Sequence, residues 1–151
     1  MSATNAFETD LLELIFQNIS SPNIGDATGL VGSSAAGNFW ISLHTLVTGL
    51  EAAASSQSTD EASYTGYARI SVPRTSGSTG WTVSGNTMDN ATAITFGTGA
   101  SAAQTQTAFG IGTTLTGEGY LCLYGTLTSP LTVSTGIVPQ FAAGALDVTL
   151  D

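Results

Sequence analysis

The stretch "YARISVPRTSGSTGWTVSGNTMDNATAITF", residues 67–96, decides how this chain folds. Short runs of β-branched and aromatic residues alternate with Gly, Ser, Asn and Pro. Residues 67–72, 81–83 and 93–96 read as strands, and the intervening residues are turn formers. Side chains alternate across a strand, so Ala68, Ile70 and Val72 share the phase expected to face a core. Tyr67, Arg69 and Ser71 take the opposite phase. In "NATAITF", Ala91, Ala93 and Thr95 alternate in the same way with Thr92, Ile94 and Phe96.

The pattern continues outward. Residues 39–47 ("FWISLHTLV"), 107–111, 120–124, 131–133 and 146–150 read as further short strands. This spacing predicts an all-β fold, a jelly-roll-like antiparallel β-sandwich. Leu146, Val148 and Leu150 share one face of the last strand, and Asp147, Thr149 and Asp151 the other, where the strand closes a sheet or meets a partner's edge. Residues 50–63 read as a long mobile loop.

One helix is predicted, over 5–19 ("NAFETDLLELIFQNI"). Asn5 is its expected N-cap and Glu8 its capping-box partner. Phe7, Leu11, Leu12, Ile15, Phe16 and Ile19 recur at spacings of three and four, so one wide face is apolar. That face must pack on the sheet or on a neighbouring chain. The expected organisation is a helical arm over 1–22, a Gly/Ser/Ala-rich connector over 23–38 and a β-sandwich over 39–151.

Composition narrows the function. The chain has 151 residues, two arginines, no lysine, eleven carboxylates and a formal net charge of −9. Only 9% of residues are charged, against about 25% in ordinary domains. Two cations cannot displace the counterions of a nucleic acid, nor hold an anionic membrane surface. The expectation is therefore no nucleic-acid and no membrane partner. No apolar run is long enough to span a bilayer, and no basic segment precedes an apolar one as in a secretory signal.

Motifs for chemistry are sparse. Without lysine there is no Walker A loop or Schiff base. With one histidine and one cysteine, His-clustered and Cys-based zinc sites are excluded. His44 is the single acid–base candidate and reads as a strand histidine on the more polar face. Cys122, in "YLCLY", reads as a buried, inert thiol. Asp60 and Glu61 read as solvated loop carboxylates. "GSSAAG" (32–37) lies between helix and strand, the wrong order for a dinucleotide-binding turn. No cofactor or catalytic residue is expected. Asn18 and Asn90 match the glycosylation pattern by coincidence.

Arg69 and Arg74 remain, five positions apart. Two cations among eleven acids favour bidentate pairing with carboxylates, within a chain or between chains, over an anion-binding site. Trp81, near Arg74, is a weak candidate for stacking on a sugar.

The order of these segments resembles a known family. "LLELIFQ" (11–17) precedes "FWISLHT" (39–45), then "YAR" (67–69), "NATAITF" (90–96), "AFGI" (108–111), "LCLYGTLTSP" (121–130) and "FAAGALDVTLD" (141–151). Together they are similar to a family of small tailed-bacteriophage structural proteins, labelled tail-fibre-like or virion structural proteins. Leu131 departs from the family's lysine after "LTSP", and "GASAAQTQT" (99–107) replaces a tryptophan-containing turn. The resemblance implies a non-enzymatic virion protein, assembled in the bacterial cytoplasm and present as a homo-oligomer. It leads to a capsid cement or decoration protein docked on the major capsid protein. A tail or tail-fibre component is the alternative, and a carbohydrate-binding host-recognition module the second. The residues expected to carry structure or interfaces are Phe7, Leu11, Leu12, Ile15, Phe16, Arg69, Arg74, Trp81 and Asp151.

Overall fold

A computed structural model describes residues 2–52 and 56–150. Among them the helix α1 (Asn5–Leu12) runs into a π-helical turn (Glu13–Gln17). Nine strands follow: β1 (Asn38–His44), β2 (Ile70–Pro73), β3 (Trp81–Ser84), β4 (Thr87–Asn90), β5 (Ile94–Thr95), β6 (Gln104–Gly112), β7 (Leu121–Val133), β8 (Gln140–Phe141) and β9 (Asp147–Thr149). They form sheets of order β2-β1-β6-β7, β3-β4-β9 and β5-β8. The chain is all-β, in the sandwich class that the strand spacing predicts, with one short N-terminal helix.

The residues divide into two compact units. The first takes 2–38, 72–94 and 141–150, which joins the segment expected as an arm to parts of the segment expected as the sandwich. Here α1 and the π turn pack on the β3–β4 hairpin. Thr4, not Asn5, is the N-cap, and its hydroxyl accepts from the Phe7 N–H at 3.4 Å. Asn5 already has helical backbone, so Glu8 falls one position too late for a capping box.

The apolar face is also narrower than the spacing of three and four suggests. Leu12 and Phe16 are buried and Leu11 is half-buried, but Phe7, Ile15 and Ile19 stay exposed. A π turn winds more residues per turn than an α-helix, so the single stripe Glu8–Leu12–Phe16 faces inward. Phe16 meets Trp81 edge-on with ring centroids 5.1 Å apart, a favoured aromatic geometry. Asn18, at φ 59°, ends the helix in the left-handed conformation.

Asn90 pins the same unit. Its amide donates to Thr92 and Ala142 carbonyls at 2.7 and 2.8 Å, and its Oδ1 accepts from the Ala145 and Leu146 N–H groups. All its hydrogen-bonding capacity is used at 1% exposure, which leaves no room for a glycan.

The second unit takes 39–71 and 95–140. In it β6 lies between β1 and β7, antiparallel to both. The two strands expected at 120–124 and 131–133 are one, β7. Ala108 pairs with Thr126 and Gln106 with Leu131, so residues 127–130 bulge opposite Thr107 alone. Pro130, which has no N–H to give, sits in that bulge. Phe39, Ile41, Leu43, Phe96, Ala108, Ile111 and Val133 are buried.

Candidate functional site

Arg69 organises the second unit. The residues before β2 do not keep strand alternation: Ala68 is exposed and Arg69 buried, the reverse of the expected phase. The Arg69 side chain is 2% exposed. Its Nε donates to Glu61 Oε1 at 2.6 Å and Nη2 to Glu61 Oε2 at 2.7 Å, a bidentate clasp. Nη2 also reaches the Gly117 carbonyl at 2.7 Å. Nη1 donates to the Thr114 carbonyl and hydroxyl at 2.9 and 3.1 Å, and to Gln57 Oε1 at 3.3 Å. Every guanidinium nitrogen is engaged within the unit, and the Glu61 hydrogen bond raises the arginine's pKa further.

Glu61 is therefore not a solvated loop carboxylate. It also accepts from the Tyr67 hydroxyl at 2.7 Å, and that oxygen accepts the Leu43 N–H of β1 at 3.1 Å. Burial first, and the Glu61 charge second, push the Tyr67 phenol far above its ordinary range. A cleft of about 490 Å³ lined by Glu61, Tyr67, Arg69, Leu115 and Thr116 opens beside the pair. It offers an anion no unclaimed arginine nitrogen.

The segment before Glu61 is held rather than loose. Gln57 is fully buried and donates to the Trp40 carbonyl at 2.6 Å. Its backbone N–H donates to the Glu118 carbonyl at 2.7 Å. Residues 53–55 of the expected mobile loop lie outside the described residues.

His44 belongs to the same face of β1 and is fully buried. Its Nδ1 lies 2.8 Å from the Thr59 carbonyl and its Nε2 2.8 Å from Ser42 Oγ. A carbonyl only accepts, so Nδ1 carries the proton and Nε2 accepts from Ser42. Burial lowers the histidine's pKa from its ordinary 6.5, against the Thr59 hydrogen bond and the Glu61 and Asp60 charges that raise it. The Ser42–His44 pair has the atoms of a nucleophile and a base, but both side chains are at 0% exposure.

Two glycines of β6 make this network possible. A Cβ on Gly110 would stand 2.6 Å from His44 Nε2, and one on Gly112 2.3 Å from the Gln57 amide carbon. The strand reading of 107–111 located the element but not this purpose.

Arg74 does comparable work in the first unit. Its guanidinium donates to the Leu14 and Ile15 carbonyls of the π turn and to the Ala36 carbonyl at 3.2 Å. A cation on the last carbonyls of a helix also complements its dipole.

A protein-family model described as "Podophage GP4 fiber I protein gp80" matches residues 2–149. The chain belongs to this podophage fibre family. The resemblance to tailed-phage structural proteins is thus established. No curated protein matches the chain.

Within this chain the expected site residues separate. Leu12, Phe16, Arg69 and Trp81 are interior. Trp81, at 0% exposure against Phe16, has no face free for a sugar. Phe7 and Ile15 are on the surface, and Asp151 lies outside the described residues. Cys122 is half-buried rather than enclosed. Among the described residues no group of His, Cys, Asp and Glu is placed to hold a metal ion, and no helix is long and apolar enough to cross a membrane. Sequence reasoning missed Gln57, Thr114 and Ser42, all uncharged residues whose importance comes from hydrogen bonds to distant segments or to His44 in the folded chain.

Proposed function

We propose that this chain is a non-enzymatic structural component of the phage tail fibre. The family match over residues 2–149 carries the reading. The use of the reactive side chains supports it: both arginines and the one histidine are bonded into the fold, and the Ser42–His44 pair is closed to solvent. Its partners are then other proteins of the particle and further copies of itself. Assembly takes place in the bacterial cytoplasm.

Copy number tests the placement. Quantitative mass spectrometry of purified particles, with gold-labelled antibody in electron microscopy, is expected to find few copies per particle and label on the tail. Hundreds of copies with label over the head would instead establish the capsid-cement placement.

A further inference from the structure

A second groove, of about 250 Å³, lies away from the arginine network and is lined by Leu50, Glu51, Ala52, Tyr120, Cys122 and Tyr124. Tyr120 is 71% exposed, more than any other exposed large hydrophobic residue described. Two other aromatics of this unit are used inside it: Tyr64 is 4% exposed and Phe96 2%. Tyr124 and the Glu51 carboxylate line the groove with Tyr120. A carboxylate has about four lone-pair directions, so Glu51 has acceptors to offer a ligand.

We propose that this groove binds one pyranose ring of an uncharged glycan, stacked on Tyr120 and hydrogen-bonded through its hydroxyls to Glu51. A phenol face is apolar and flat, which suits the C–H face of a sugar ring, and a carboxylate accepts from sugar hydroxyls. No basic side chain lines the groove, and the chain's net charge of −9 repels an acidic sugar. An alkylammonium ion would need aromatic rings closed around it, and a ring with most of its surface in water does not enclose. The volume falls below the range of about 300–1,000 Å³ typical of drug-sized ligands. One ring is seated while the rest of the glycan runs into solvent.

Saturation-transfer NMR on the full chain tests this, with methyl α-D-glucopyranoside, methyl β-D-galactopyranoside and methyl α-L-rhamnopyranoside as probes and tetramethylammonium chloride as the competing chemistry. At about 10 mM, a ligand with Kd of about 1 mM is near saturation. The expected result is transfer to the ring protons of at least one glycoside, with affinity reduced about tenfold or more by Tyr120→Ala and by Glu51→Ala at unchanged melting temperature. Transfer to none of the three glycosides, equal transfer to the Tyr120→Ala chain, or binding of tetramethylammonium alone would overturn the proposal. These measurements use the isolated chain, so their failure leaves the fibre placement, which copy number decides, untouched.

Discussion

Arg69 holds two separate segments of the second unit together: the one with Gln57 and Glu61, and the β6–β7 loop with Thr114 and Gly117. Removing the guanidinium leaves the Glu61 carboxylate without its counter-ion, and breaking a buried pair typically costs about 3–5 kcal/mol. Glu61 keeps 16% exposure, which lets water take part of the load, so Arg69→Ala is expected at the lower end, as a fall in the urea midpoint. Arg69→Lys keeps the charge but not the planar fork and is expected to recover less than half of the loss. His44 gives a separate signature. Its folded pKa lies below 6.5, so the unfolded chain binds the proton more readily. Its contribution is whole above about pH 6.5 and declines as pH falls toward the folded value. Melting temperature followed from about pH 7.5 to 5 should fall less steeply in His44→Gln than in the parent chain. That Arg69 would clasp a carboxylate was legible from two cations among eleven acids, but not whether within the chain or between chains, nor that Arg74 would hold backbone carbonyls. Which carboxylate Arg69 takes was not, because Glu61 is brought to it by the path of residues 56–62.

At the scale of elements, the helix and β6 carry the sharpest contrasts. Phe16→Ala empties the space against Trp81 and is expected to cost about 3–5 kcal/mol, whereas Ile15→Ala, on an exposed side chain, should change stability by less than about 0.5 kcal/mol. Chemical denaturation of the two variants separates a stripe through Leu12 and Phe16 from the broader face implied by periodicity. In β6, Gly112→Ala places a methyl group on the buried Gln57 amide, and overpacking of this kind costs about 1–3 kcal/mol. Gly136→Ala is no control, since its φ of +86° strains any side chain. Thr105→Ala, at an exposed position of the same strand, should stay close to the parent. Periodicity located the helix, yet the π turn escaped it, because the turn's partners are distant in sequence: Arg74 donates to its Leu14 and Ile15 carbonyls, and its Gln17 donates to the Trp81 carbonyl. Strands β4 and β8 escaped as well. Neither Thr87–Asn90 nor Gln140–Phe141 alternates apolar and polar residues, and pairing with neighbours makes them strands.

For the whole molecule, charge is the dominant variable. A net charge of −9 on 151 residues, with a single ion pair identified among the described residues, leaves most carboxylates repelling one another. Raising NaCl from about 10 mM to about 0.3 M shortens the Debye length severalfold, so calorimetry is expected to show a higher melting temperature at the higher salt. The Arg69–Glu61 clasp, being buried, is little screened and should not reverse that trend. The sequence by itself determined the all-β class, the single helix and the phage structural family. These follow from local quantities: turn residues at regular intervals, apolar spacing and the order of short motifs. Tertiary structure alone decided that Ala68 faces out and Arg69 in, that Glu61 is a clasp, and that Trp81 is enclosed while Tyr120 stands in water. Such outcomes depend on which surfaces cover one another, and burial is a property of pairs of distant segments that no local pattern contains.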